Sequence, residues 1–543
     1  MTVTVSNPVL GGSHPDPSIV RAGDAYYLAT STFEWFPGVR VHRSRDLASW
    51  EPLGGVLDEP RLLDLAGCPD SGGVWAPNLT YVDGTFHLLY STVSAYTGGF
   101  TDSPNRLVTA PAIDGPWSDP VPLGSRGFDA SLFHDGDASW LVNLVHDWRP
   151  GRGGSAGLEV TAFDRTTRTL VGSPQRLDLP PGAGWIEGPN LYRHGDWYYL
   201  VTADGGTSWE HQVTVSRSRD LTGPYERDPR GPLVTSKHRP DWPLQKAGHG
   251  SLVRTPDDRW YLGFLVARPH GEHGPCVLGR ETALTEVTWV DGWPTVADPL
   301  PPLGLTVPGA AAPAGAAAPA GAPAVSVADW SVDVDDFDGP RLGPAWSTLR
   351  RPPTADWLTL TERPSHLRVR GGRSPQSAVG ASLVARRVTA PRVGFEATVD
   401  HRPTAFQHAA GITAYYNARS WYFLHVTADD DGRRVLRLAG CDRGVLTLHP
   451  DVVGLDGDGP VRLGLDLDGA QLTFRHHGPR GWEHVGPGLD ATTLSDEHAT
   501  DVDDAGQLRG MGFTGAFVGL WVWDLAGLGH PADIDSATYT VRP

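Results

Sequence analysis

The chain has 543 residues, too many for one hydrophobic core, so at least two domains are expected. Its 66 glycines and 48 prolines follow no collagen-like period, and the 39% apolar residues fall in short strand-like runs, which excludes a disordered or mainly helical chain. The net charge of −18 repels phosphate backbones and anionic membranes, so neither nucleic acid nor a membrane is an expected partner.

Taken in chain order, Met1 to Gly12 lacks a basic stretch followed by an apolar one, and no run of 18 apolar residues follows, so a cytoplasmic protein is the expectation. Five segments then repeat one pattern: a small-residue entry, an apolar strand, a Gly/Asp turn and an aromatic-rich strand. They begin at Asp16, Ala76, Asp129, Gly188 and His249, spaced by 60, 53, 59 and 61 residues. Such spacing belongs to propeller blades, each burying its faces only against its neighbours, and it predicts a five-bladed β-propeller over residues 1–305. Inner strands of a propeller converge on a central channel, so residues at the repeat starts face one another. Asp16, Asp129, Glu187 and His249 stand at or beside those starts, with Trp75 beside the second.

The Ala/Pro/Gly run VPGAAAPAGAAAPAGAPAV can pack no core and reads as a linker within 306–329. Beyond it, residues 330–543 alternate in strand fashion and predict a β-sandwich of jelly-roll type, making the whole chain all-β. Cys68, Cys276 and Cys441 are too few and too far apart for a disulfide framework or a CxxC metal site. The 20 Trp and 14 Tyr beside a surplus of carboxylates suit the docking of neutral sugar rings.

Carboxylates converging on a channel point to acid/base chemistry on a neutral polar substrate, the equipment of glycoside hydrolysis. The ordered motifs NPVLGGSHPDPSIV, SGGVWAPNL, GFDASLFHD, GWIEGPNLY, LQKAGHGSLV and LGRETAL resemble the β-xylosidases of glycoside hydrolase family 43. FDGPRLGPAWSTLR and GFTGAFVGLWVWD resemble that group's C-terminal concanavalin-like sandwich. The resemblance implies Asp16 as general base, Glu187 as general acid and Asp129 as the carboxylate that positions Glu187 and tunes its pKa. It places His249 on the site floor, sometimes beside a metal or water, and Arg280 on sugar hydroxyls. Phe33 and Trp75 correspond to aromatic walls, with Trp148 a further candidate in a run that departs from the family pattern. A sandwich loop carrying Phe513 and Phe517 would close the pocket.

No organic cofactor is implied. A metal stays open at His249, and calcium in the acidic stretch around Asp336, where a solvated turn is the simpler reading. The expected activity is that of an inverting, exo-acting 1,4-β-xylosidase on xylo-oligosaccharides, and the resemblance leaves a homo-oligomer open. The alternatives are α-L-arabinofuranosidase action, as main or side activity, and a non-catalytic carbohydrate-binding protein.

Overall fold

A computed structural model describes residues 2–97, 99–152, 154–180, 185–308, 331–503 and 508–542. Five antiparallel sheets of four or five strands follow one another along the chain, spanning Ser18–Leu57, Gly73–Pro122, Ser131–Arg176, Ile186–Thr235 and Gln245–Thr295. They are the five blades, and each opens on one of the hairpins predicted from the repeats.

A ring of hydrogen bonds between inner strands explains why five blades close. Ser18 Oγ accepts the Leu79 N–H (2.9 Å), Asn78 Oδ1 accepts the Leu132 N–H (2.9 Å), and Ser131 Oγ donates to Pro189 O (2.5 Å). Asn190 Nδ2 then donates to Gly250 O (3.3 Å), and Ser251 Oγ accepts the Ile19 N–H (3.2 Å), which returns the ring to the first blade. Each blade thus satisfies a buried polar group of its neighbour, a contribution of about 0.5–1.5 kcal/mol per bond. At the rim, Thr2–Ser6 pairs antiparallel with Gly304–Pro308 and ties the two ends of the propeller together. The linker expected over 306–329 lies, from residue 309 onward, outside the described residues.

Residues 331–542 form a sandwich of two eight-stranded sheets whose facing sides enclose the largest core cluster, including Phe395, Ile412, Leu424, Leu436, Leu465 and Leu520. Among the described residues the only helical turns are Ala491–Leu494 and Asp496–Ala499, so the chain is almost entirely β. Among the described residues no helix is long and apolar enough to cross a membrane.

The two domains interlock. The propeller strand Trp35–Phe36 pairs with Ser347–Leu349 and becomes the eighth strand of one sandwich sheet. Trp35 stacks on Phe517 inside the sandwich, at 3.9 Å between ring centroids. Arg387 Nε donates to Ser13 O (2.6 Å), Arg40 donates to Pro344 O, Trp346 O and Ser347 Oγ, and Lys246 pairs with Glu497. Phe33 stands two residues before this shared strand, after the propeller strand Ala25–Thr30, so the interlock holds it in place.

Candidate active site

The starts of the inner strands share an uncommon backbone conformation. Asp16 (φ 56°), Asp129 (φ 56°) and His249 (φ 47°) are all left-handed, and Gly188 (φ 57°) holds the equivalent place in the fourth blade. A non-glycine residue there costs on the order of 1–3 kcal/mol, strain that clusters at functional sites. In the fourth blade glycine takes the strained position and the carboxylate moves one residue earlier, to Glu187. A bulge between Glu187 and Asn190 accompanies that shift and re-aims the side chain.

Asp16 is the most firmly held of the three carboxylates. Ser31 Oγ donates to its Oδ2 (2.6 Å), Arg280 Nη1 donates to its Oδ1 (3.3 Å), and His249 Nδ1 lies 3.7 Å from Oδ1. Burial alone would raise its pKa, but the Arg280 guanidinium, His249 and the Ser31 hydroxyl outweigh it and hold the carboxyl below its ordinary value. Glu187 behaves oppositely. Burial, with the nearby charge of Asp16, lifts its pKa against the opposing pull of the Trp185 indole N–H, which donates to Oε2 at 2.7 Å. Asp129 is lifted further, by burial and then by repulsion from Glu187 and Asp16. The Asp129–Glu187 pair therefore retains a proton at a pH where Asp16 has lost its own. Burial also lowers the pKa of His249, which keeps that imidazole neutral.

Above this floor lies a cavity of about 320 Å3, at the small end of the range for small-molecule sites. Its aromatic walls are Phe33, Trp75, Tyr96, Phe128, Trp185 and Phe513. Phe513 comes from the sandwich and meets Phe33 at 5.8 Å and Trp75 at 5.9 Å between ring centroids. The Arg280 guanidinium lies 4.8 Å over the Phe513 ring, and its Nη1 also donates to Thr207 Oγ1 (3.0 Å). Gly279 and Gly515 make this meeting of domains feasible. A Cβ on Gly279 would stand 2.8 Å from Gly515 Cα, and both residues have positive φ (69° and 64°), so only glycine lets the two backbones approach so closely.

Two expected wall residues are elsewhere. Phe517 is 1% exposed and begins the strand Phe517–Asp524, where it packs on Trp35 in the sandwich core, so Phe513 alone of the two reaches the cavity. Trp148 is 57% exposed and stacks on Phe100 (5.4 Å), itself 63% exposed. The strand Ala138–Asp147 ends one residue before Trp148, which puts the side chain outside the cavity, while His146 lines it. In the acidic stretch, Asp336 Oδ1 accepts the Asp338 N–H (3.2 Å) and Asp335 binds the Phe337 N–H and the Trp346 indole. Among the described residues no three His, Cys, Asp or Glu side chains converge as a metal site.

Several lining residues have no individual signal in the sequence. Tyr96, Thr101, Thr207, His211 and Met511 lie outside the repeat motifs. Phe128, next to Asp129 in GFDASLFHD, and Trp185, two residues before Glu187 in GWIEGPNLY, were by contrast within reach of the sequence. His211 is buried, its Nδ1 lies 3.0 Å from Lys246 O, and burial drops its pKa to about 3, so it stays neutral.

A propeller channel that pairs one ionised carboxylate with a proton-retaining carboxyl pair, under aromatic walls, defines a glycoside hydrolase. Residues 5–294 match the family described as Glycosyl hydrolases family 43, and residues 334–540 match its Beta xylosidase C-terminal Concanavalin A-like domain. The chain belongs to glycoside hydrolase family 43. It is similar to a xylan 1,3-beta-xylosidase of a Vibrio species, 40% identical over 99% of each chain. A non-reducing end alpha-L-arabinofuranosidase of Bacteroides ovatus is 34% identical over 98% of this chain and 94% of its own. The solved xylan beta-1,4-xylosidase of Bacillus halodurans C-125 superposes with a TM-score of 0.91 at 41% identity, covering 99% of this chain and 100% of its own.

Proposed function

We propose that this hydrolase is an inverting, exo-acting 1,4-β-xylosidase that removes xylose from the non-reducing end of xylo-oligosaccharides. The observation that carries the reading is the convergence of Asp16, Asp129 and Glu187 on one cavity, where Arg280, His249 and Ser31 hold the pKa of Asp16 down against burial while burial pushes those of Asp129 and Glu187 up. In this reading a terminal xylose enters the cavity with its ring against the wall formed by Phe33, Trp75 and Phe513. Glu187 gives its proton to the glycosidic oxygen as the bond to the anomeric carbon breaks. Asp16 takes a proton from the water that attacks that carbon from the opposite face, so no covalent sugar–enzyme bond forms. Asp129 holds the charge balance that keeps Glu187 protonated, and Arg280 keeps Asp16 ionised while offsetting the surplus of negative charge. The small cavity, capped by Phe513 from the second domain, supports release of single sugars.

The beta-1,4-xylosidase similarity favours the 1,4 linkage, and the arabinofuranosidase relative supports α-L-arabinofuranosidase action as a second reading. Xylohexaose followed by chromatography, with rates on the nitrophenyl β-xylopyranoside and α-L-arabinofuranoside, tests both. Shortening one unit at a time with the xyloside preferred is the expected result. Mid-chain products contradict exo-action, and a preference for the arabinofuranoside exchanges the two readings.

A further inference from the structure

Three of the aromatic walls trace back to one buried corner that does not line the cavity. Ser71 is fully buried and left-handed (φ 58°). All three of its polar groups are engaged, each by a different part of the site. Its N–H donates to Glu34 Oε2 (3.0 Å), its carbonyl accepts the Trp75 indole N–H (2.9 Å), and its Oγ accepts the Phe513 N–H (3.2 Å) across 442 residues of sequence. The preceding carbonyl, of Asp70, accepts the hydroxyl of Tyr96, whose oxygen in turn receives the Met511 N–H (3.4 Å).

The sandwich holds the corner from behind. Arg350 donates to Asp70 Oδ1 (2.6 Å) and Cys68 O (2.8 Å), its own N–H reaches Glu34 O (2.9 Å), and Asp70 Oδ1 also accepts the Ala418 N–H (3.3 Å). Glu34 directly follows the wall residue Phe33. Phe33 is tied to the same loop by mutual backbone bonds with Val74, at 2.9 Å each way.

We propose that the Asp70–Ser71 corner is the positioning element of the sugar pocket, with Ser71 setting the place of Phe513 relative to Trp75 so that the walls fit a pyranose ring. The inference rests on the proposed xylosidase reading for the identity of the ring. Ser71 touches no substrate and acts through the residues it holds. Wall residues misplaced by a fraction of an ångström lose productive binding first, so the corner governs KM more than kcat and leaves the titration of the carboxylates alone.

Ser71→Gly is the discriminating variant. Glycine accepts a φ of 58° without strain and keeps the N–H and carbonyl bonds, so only the Oγ bond to Phe513 is lost. The expected result is a KM for nitrophenyl β-xyloside raised about tenfold, the scale of one lost buried hydrogen bond. With it we expect kcat within about threefold, an unchanged pH profile and faster amide exchange in the peptide carrying Phe513. Tyr96→Phe frees Asp70 O and Met511 N–H but also takes a hydroxyl from the cavity wall. Should the first variant fold poorly, Tyr96→Phe is therefore read by exchange alone, expected faster in the peptide carrying Met511 and Phe513, and unchanged exchange there overturns the proposal. An unchanged KM together with unchanged exchange in Ser71→Gly overturns the proposal, as does a loss confined to kcat. If the wild-type enzyme does not cleave the xyloside yet exchange still accelerates in the variant, the corner stands and the xylosidase reading falls.

Discussion

Two buried clusters each gather carboxylates round one arginine, and Phe33 joins them: its ring lies 5.5 Å from the Arg280 guanidinium, and its neighbour Glu34 belongs to the other cluster. In the first, Asp16, Asp129 and Glu187 surround Arg280 beneath the cavity. In the second, Glu34 and Asp70 flank Arg350 behind the wall, with Glu34 bonded to the Ser71 N–H and Asp70 to Arg350 and the Ala418 N–H. Both contain a carboxyl whose pKa burial has raised, Glu34 to about 8. Burial and like charge shift a carboxyl wherever they occur. A shifted carboxyl becomes an acid catalyst only where a cavity brings a substrate oxygen to it, and the first cluster lines such a cavity.

The largest effects are expected in the open cluster. Asp16→Ala should lower kcat/KM by roughly 100- to 10,000-fold on every substrate, the range of a general base. Glu187→Ala should lose as much on xylobiose but far less on a dinitrophenyl xyloside, whose leaving group needs no proton. Equal losses on the two substrates would remove Glu187 from the acid role.

Next in size is a change of pH dependence. The profile of kcat/KM should be bell-shaped, its acid limb set by Asp16 below the usual carboxylate range and its basic limb by the Asp129–Glu187 pair above it. Asp129→Asn removes one of two mutually repelling carboxyls and should bring the basic limb down by on the order of one pH unit. A limb that stays in place dissociates Asp129 from the tuning of Glu187.

The sealed cluster should respond in stability. Glu34 has an ordinary pKa of 4.5 and about 8 in the folded protein. Below the first value both states are protonated. Between the two the unfolded chain has lost a proton that the folded one keeps, so the contribution falls as pH rises across this window, by at most about 1.4 kcal/mol per pH unit. Glu34→Gln cannot ionise, so its denaturation midpoint should gain on the wild type between pH 5 and pH 8. Parallel curves would contradict a protonated Glu34. The smallest effect is expected of Trp148→Ala, less than about threefold in KM for nitrophenyl xyloside and within about 0.5 kcal/mol in stability. A tenfold loss would return Trp148 to the pocket wall.

Much of the open cluster was legible in the sequence, because a propeller repeats a local hairpin. Once the period is recognised, Asp16, Asp129 and His249 fall at the same point of the first, third and fifth repeats, and Glu187 one residue before it in the fourth. The sealed cluster carried no such signal. Glu34, Asp70, Ser71 and Arg350 are ordinary residue types whose roles arise from contacts across about 280 to 440 positions, as does the strand Trp35–Phe36, two residues long and defined by its partner Ser347–Leu349. The run FTGAFVG offered two phenylalanines with no local means of choosing between them. Strand pairing decides, since Phe517 lies opposite Arg387 and Tyr415 within the sheet while Phe513 stands in the loop before it.

The central claim is that Asp16 delivers water directly to the anomeric carbon while Glu187 protonates the leaving oxygen. Proton NMR of xylobiose during its first turnovers tests it most directly, because the anomeric signal of the released non-reducing sugar is resolved before mutarotation. The account predicts α-xylose as the first product. β-Xylose would mean retention through a covalent intermediate and would contradict the assignment of Asp16 as a base.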